Sequence, residues 1–238
     1  MDALSYEIAP YLERAGTRVA DSLASPRTLN VHTTFELTAQ HLQAKYIYVA
    51  RDPRDACVSY FHFIKDGIGG QEWIDDGSFD QFFEEFLQGD LPYGDYFDHI
   101  KGFWLHRHDS NVLFLTYEEM QRDPRKCILS VAKFISDNQN DYEKMLTLEP
   151  NLLDKILENT SFSNMKKEIP VVIKRATNNS CGDSKLDEGV KVDFFRKGIV
   201  GDWVNYFSSE QEMALNQRMM DKVSGTGIEN LWKFSFSS

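Results

Sequence analysis

Lys45-Tyr46-Ile47-Tyr48-Val49-Ala50-Arg51-Asp52-Pro53-Arg54-Asp55-Ala56-Cys57-Val58-Ser59-Tyr60-Phe61-His62-Phe63 decides the fold. β-Branched and aromatic residues dominate Ala44 to Ala50 without polar alternation, the pattern of a buried strand. Asp52 then offers an N-cap and Pro53 suits a first helical turn. A helix therefore opens at once and carries Cys57, Val58, Tyr60, Phe61 and Phe63. Arg51 falls at the junction. In open α/β sheets ligands sit at the carboxyl ends of strands, and helix N-termini favour phosphates. Arg51 is thus placed to grip a phosphate, and Ser59, about two helical turns further on, to offer the same anion its hydroxyl. An Arg closing a strand through a surface ion pair is the plainer alternative.

Outward from this junction, strands alternate with helices. Residues 6 to 24 read as an amphipathic helix bent near Gly16, followed by a turn at Ser25-Pro26 and a short strand from Arg27 to His32. Residues 66–78 are a Gly-rich, acidic loop. Phe79 to Leu87 is helical with Phe82, Phe83 and Phe86 on one side, and Tyr96 to Arg107 is a further helix. Val112 to Thr116 repeats the buried-strand pattern. Asp123-Pro124 starts a helix with Ile128, Val131 and Ile135 on one face. Leu152 to Glu158 is a short helix, residues 174–190 a mobile loop, and Ser209 to Val223 the last helix, with Ser209 and Glu212 at capping-box spacing. The expectation is an α/β fold, a parallel sheet flanked by helices, in one domain over residues 1–238.

The chain of 238 residues carries a formal charge of −11, which argues against a general binder of nucleic acid or anionic membranes. A small anionic ligand needs only a few local cations, and Arg51, Arg54, Arg196 and Lys197 are the candidates. Cys57, Cys127 and Cys181 make an odd, sparse set, which fits a reducing compartment. The start Met1-Asp2-Ala3-Leu4-Ser5-Tyr6-Glu7 is not a secretory signal, and no apolar run reaches the ~18 residues of a membrane span. A cytoplasmic protein is expected. His106-x-His108 lacks a third ligand at metal spacing, so no metal is expected. His41, His62, His99, His106 and His108 read as packing or surface residues.

Two further stretches carry chemistry. Phe194-Phe195-Arg196-Lys197-Gly198-Ile199-Val200-Gly201-Asp202-Trp203 sets two adjacent cations before a glycine. Such a turn can aim two charges and open backbone N–H groups at one phosphate. Pro26-Arg27-Thr28-Leu29-Asn30-Val31-His32 ends on a histidine, whose unperturbed pKa suits a general base.

In this order the segments resemble the cytosolic sulfotransferases, from about Pro26 to Trp232. Residues 196–203 resemble the family's Arg-Lys-Gly-x-x-Gly-Asp-Trp box, and residues 45–63 its 3′-phosphate site. The resemblance implies a P-loop-NTPase-like fold and transfer of a sulfonyl group from 3′-phosphoadenosine-5′-phosphosulfate (PAPS) to a small phenol, alcohol or amine. It implies His32 as the base. Arg51, Ser59, Arg196, Lys197 and Gly198 would hold the nucleotide. Tyr117, in Val112-Leu113-Phe114-Leu115-Thr116-Tyr117-Glu118-Glu119-Met120, would contact adenosine. Thr160, Phe162 and Met165 match the family's Thr-Ser-Phe-x-x-Met around adenine. Phe63, Phe97 and Trp104 would wall the acceptor pocket, with core packing as an equal alternative for them.

Three departures stand out. Asn30 occupies the position of the family's assisting Lys. The family's dimer motif after Gly-Asp-Trp is changed at Val204, Ser208, Ser209 and Met213, so no dimer is expected through residues 204–213. The family's loop for the 5′-phosphosulfate, Tyr-Pro-Lys-Ser-Gly-Thr-Thr-Trp, does not occur, nor do Gly-x-x-x-x-Gly-Lys-[Ser/Thr] or Gly-x-Gly-x-x-Gly. The expected fold is N-terminally incomplete and its turnover reduced. A non-catalytic nucleotide- or small-molecule-binding protein is the rival reading, and a nucleoside or nucleotide kinase a weaker third.

Overall fold

The computed structural model describes residues 9–38, 40–66, 77–168 and 195–232. Residues 1–8, Cys181, Phe194 and nearly all of the segments 66–78 and 174–190 lie outside the described residues. The element order is α1 (Leu12–Ser22), β1 (Tyr46–Ala50), α2 (Pro53–Asp66), α3 (Phe79–Gln88), α4 (Tyr96–Leu105), β2 (Val112–Thr116), α5 (Tyr117–Arg122), α6 (Pro124–Ile135), α7 (Tyr142–Leu148) and α8 (Pro150–Asn159). Then come α9 (162–168), a 3₁₀ turn (Asp202–Asn205), α10 (Ser209–Val223) and a second 3₁₀ turn (Ile228–Asn230).

β1 and β2 pair in parallel, with Tyr46 opposite Val112 and Ala50 opposite Thr116. Both strands therefore end at the same edge, and each runs straight into a helix there. The Asp52 carboxylate accepts from the Arg54 backbone N–H (2.9 Å), which caps α2 as its sequence requires. Thr116 and Glu119 form a capping box that starts α5. Glu118 crosses between these starts. It accepts from the Asp52 N–H (2.9 Å) and from the Trp232 indole N–H (2.9 Å), so one carboxylate locks both strand ends to the C-terminal segment.

The main core lies among α2, α3, α4 and α10. Cys57, Phe61, Phe82, Phe83, Ile100, Leu215, Met219 and Val223 are buried in it. α3 buries Phe82, Phe83 and Phe86 as its pattern demands, and Gly89, with φ of 81°, ends it. A second cluster joins Phe35, Phe103 and Val112 with Tyr46, Tyr48 and Phe114 on the α4-facing side of the sheet. A third packs α6, α7 and α8 around Ala132, Leu146 and Leu153.

Several expectations are corrected. β1 is buried on one face only: Ile47 and Val49, on the other face, are 45% and 46% exposed, because none of the described residues forms a layer over them. Arg27 to His32 is not a sheet strand. It makes one parallel bridge, Tyr11 with Asn30, and pairs with the chain entering α1 instead of with β1. The helix expected over 6–24 is described as Leu12–Ser22, with the bend at Gly16 as anticipated (φ 75°, ψ 169°). On α6 the buried positions are Cys127 and Ala132, while Ile135 is exposed. The capping box of α10 is formed by Ser208 and Gln211, one residue earlier than expected, and Glu212 is spent on Arg54 instead.

Candidate functional site

The edge where both strands end carries Arg51, Tyr117 and the 195–203 loop. The Arg51 guanidinium stacks over the Tyr117 ring, 4.5 Å from its centroid, and its Nη2 donates to the Ile199 carbonyl (3.2 Å). The Tyr96 hydroxyl is hydrogen-bonded to the Arg51 backbone, which fixes that residue between strand and helix. The Arg51 Nε is buried with no hydrogen-bond partner among the described residues. A cation stacked on an aromatic face with an unused buried donor has capacity left for an anion.

The loop is held against the start of α2 by a carboxylate. Asp55 is fully buried and accepts from the Gly201 N–H (2.5 Å) and the Trp203 N–H (3.0 Å). Arg54 then stacks over Trp203 at 4.1 Å, binds Asp52 through two nitrogens (2.9 and 2.6 Å) and reaches Glu212 at 3.1 Å. Arg54 is only 4% exposed, so it is a strut under the loop and not a free ligand for an anion. That removes it from the four cations expected from sequence.

Inside the loop, Arg196 and Lys197 both turn to the buried Asp202. Lys197 Nζ lies 2.8 and 2.9 Å from the two carboxylate oxygens, and Arg196 bonds Asp202 closely. Burial alone would raise the Asp202 pKa, but hydrogen bonds from Lys197, Arg196 and Asn205 outweigh it and bring it down to about 2. Two cations against one carboxylate leave a net positive charge for a ligand. Arg196 also reaches the Tyr206 hydroxyl (3.4 Å), which is 2.9 Å from His62 Nε2. His62 is thereby wired to the site through Tyr206, a link that sequence reading missed.

Gly198 has φ of 67°, the left-handed region. A Cβ there would meet the Phe162 ring at 2.2 Å, so the ring lies flush against the loop backbone. Phe162 also meets Phe195 edge-on at 5.8 Å. Lys166 Nζ donates to the carbonyls of Phe195 (2.8 Å) and Arg196 (3.4 Å), tying α9 to the loop. Met165 is half-buried on α9, and Thr160 is exposed at the end of α8, where its hydroxyl returns to the Ile156 carbonyl (2.7 Å). The structure thus brings Arg51, Tyr117, Arg196, Lys197, Gly198 and Phe162 onto one loop and its two neighbours. Ser59 is half-buried two turns along α2.

His32 lies apart from this group. Its ring is sandwiched between Tyr11 (4.5 Å, 9°) and Tyr93 (4.3 Å, 22°), and Glu13 Oε1 meets both its backbone N–H (3.0 Å) and its Nδ1. Burial of Glu13 is opposed by these bonds and by its own backbone contact, and its pKa falls below the ordinary carboxylate range. Asn30, at the position of the family's Lys, spends its amide on the Ala9 carbonyl (2.7 Å). His99 bridges the His32 carbonyl (3.1 Å) and the Tyr48 hydroxyl (3.0 Å), and burial lowers its pKa. Of the three aromatic wall candidates, Phe97 is 3% exposed in the main core and Trp104 spends its indole N–H on the Thr226 carbonyl (2.8 Å). Phe63 and Trp104 are both half-buried against the main core, and Phe63 stacks with Tyr60 at 6.3 Å.

A sulfotransferase domain family matches residues 3–227. The chain is similar to rat (Rattus norvegicus) sulfotransferase 1C2, at 35% identity over 229 residues, covering 92% of this chain and 71% of that protein. It is similar to mouse (Mus musculus) sulfotransferase 1B1, at 34% identity over 224 residues, covering 92% and 69%. Among solved structures, mouse sulfotransferase SULT7A1 complexed with PAP superposes with a TM-score of 0.70 at 28% identity, covering 92% of this chain and 75% of that one. The fold and the match define a sulfonyl-group transferase domain. The chain belongs to the cytosolic sulfotransferase family.

No helix among the described residues is long and apolar enough to cross a membrane, and no group of three or more His, Cys, Asp or Glu there could hold a metal ion.

Proposed function

We propose that this chain binds PAPS at the strand-end junction and transfers its sulfonyl group to a small phenol, alcohol or amine in the cytosol, with His32 accepting the proton of the attacking group. One observation carries the reading: Arg51, whose buried Nε has no hydrogen-bond partner among the described residues, meets the Arg196-Lys197-Gly198 loop at the end of the parallel strands. Arg51, Arg196 and Lys197 would hold the nucleotide's phosphate, with Ser59 further along α2. Phe162, pressed on Gly198, and Tyr117, under Arg51, would flank its ring system with Thr160 and Met165. PAP in the SULT7A1 complex supports a donor of this class. The donor supplies the sulfonyl group. The residues of this chain bind and orient the nucleotide and hold the acceptor's proton.

A second reading, nucleotide binding without measurable turnover, is favoured by one specific feature: Asn30, at the position of the family's Lys, is committed to the backbone at Ala9. A preorganised donor at the reacting centre is typically worth about 10²–10³ in rate. A radiolabelled transfer assay against a panel of phenols, alcohols and amines separates the readings. The expected result is slow transfer by the 238-residue chain, abolished by His32→Ala and raised when a family loop segment is fused upstream. Binding of the bisphosphate product with no transfer in either form would establish the second reading.

A further inference from the structure

We propose that Glu13 is the positioning residue for His32, fixing its tautomer so that Nε2 is the basic nitrogen. The inference rests on the reading of His32 as the proton acceptor, and it assigns a role to a residue outside the segments that carry the chemistry by sequence.

The argument starts from what remains open on the ring. Both faces of the imidazole are covered, by Tyr11 at 4.5 Å and by Tyr93 at 4.3 Å. Nδ1 is occupied by Glu13 Oε1. Yet the His32 side chain is 34% exposed. With both faces and Nδ1 in contact, the part of the ring left for an acceptor is the edge opposite Nδ1, which carries Nε2. An ionised carboxylate only accepts hydrogen bonds, so its contact with Nδ1 requires the proton there and leaves the Nε2 lone pair free. Free histidine in water favours the opposite tautomer, so an unconstrained ring would present an N–H to an acceptor.

The same carboxylate oxygen also takes the His32 backbone N–H at 3.0 Å, so Glu13 fixes the main chain and the ring together. The remaining groups around the ring reinforce one orientation. His99 Nε2 meets the His32 carbonyl at 3.1 Å. Tyr93 carries φ of 76°, a left-handed conformation unusual for a non-glycine residue, and so comes to lie on the ring. The Tyr60 hydroxyl holds the preceding Pro92 carbonyl at 2.7 Å. Among the described residues, Glu13, Tyr11, Tyr93 and His99 are the titratable groups that contact His32, and Glu13 is the acid among them. In transfer, the acceptor's proton would pass to Nε2 and leave an imidazolium, whose positive charge lies against the Glu13 carboxylate. The proton then leaves to solvent from Nε2, and Glu13 stays ionised throughout.

The test is long-range ¹H–¹⁵N NMR on chain labelled in histidine, with His32→Gln assigning the signal. It reads the tautomer directly and needs neither donor nor turnover. The wild type should show neutral His32 protonated at Nδ1, and Glu13→Gln should move the population toward Nε2–H. In the loop-fused protein, Glu13→Gln should lower kcat about tenfold or more with KM little changed, as expected for a lost general-base contribution. A wild-type signal with the proton on Nε2, or an unchanged tautomer in Glu13→Gln, overturns the proposal. Should Glu13→Gln fold poorly, the wild-type tautomer alone decides. The base assignment fails separately, if His32→Ala in the fused protein keeps full transfer.

Discussion

At the scale of single residues, the site depends on close contacts that only certain side chains permit. Gly198 is the sharpest case. Its φ of 67° and the Phe162 ring 2.2 Å from a would-be Cβ both exclude a side chain. Gly198→Ala should destabilise the chain by roughly 1–3 kcal/mol and weaken nucleotide binding. Combining it with Phe162→Ala should cost less than the sum of the single changes, because the clash then disappears; a thermal-melt double-mutant cycle measures this. Arg54 gives the contrast. Paired with Asp52 and Glu212 at 4% exposure, it should behave as a buried ion-pair member. Arg54→Met should cost about 3–5 kcal/mol in chemical denaturation, and the folded fraction should keep most of its nucleotide affinity. Sequence could find the junction at Arg51 because a strand end followed by Asp-Pro is a local signal. It could not separate Arg51 from Arg54, since the partner that neutralises Arg54 beyond its neighbour, Glu212, lies 158 residues away.

At the scale of elements, the 195–203 loop is an assembly of backbone and carboxylates more than a basic turn. Asp55 receives two of its N–H groups, and Asp202 collects Arg196, Lys197 and Asn205. The Asp202 pKa of about 2 lies below the ordinary carboxylate range near 4. A group whose pKa is depressed on folding stabilises the fold above its unfolded pKa, and that stabilisation is lost as pH falls through the folded value. The stability difference between wild type and Asp202→Asn should therefore be constant above about pH 5 and shrink as pH falls from about 4 toward 2. Denaturant titrations at a series of pH values read it; a difference independent of pH over that range would show that the charge of Asp202 does not hold the loop. Helix ends show the same limit of local reading. Asp52, Asp123 and Thr116 cap their helices through neighbours a few residues away, so such caps are visible in sequence. α10 spans Ser209–Val223 as its pattern predicts, but its capping box lies one residue earlier than the Ser209–Glu212 spacing suggests, because Ser208 and Ser209 offer equivalent hydroxyls and Glu212 binds Arg54.

At the scale of the whole molecule, strand–helix alternation gave the parallel pair and its order, because β1 and β2 are each continuous apolar runs that enter a helix directly. What remained hidden is tertiary. The Arg27–His32 segment has strand-like composition, but its partner is the chain before α1, and Ile47 and Val49 look buried by type while their face of the sheet has no covering layer among the described residues. Likewise Glu13 and Tyr93 reach His32 from separate segments, one before it and one well after it, with no motif announcing either. The family match accounts for the order of the segments; the physics of the site lies in how they close on one loop. The most direct test of that closure is calorimetric titration with adenosine 3′,5′-bisphosphate. The wild-type chain should bind it, and Arg51→Ala and Lys197→Ala should each weaken binding about tenfold or more, as expected for charge-assisted hydrogen bonds of roughly 1.5–3 kcal/mol. No binding at millimolar nucleotide, or equal affinity after Arg51→Ala, would contradict the account.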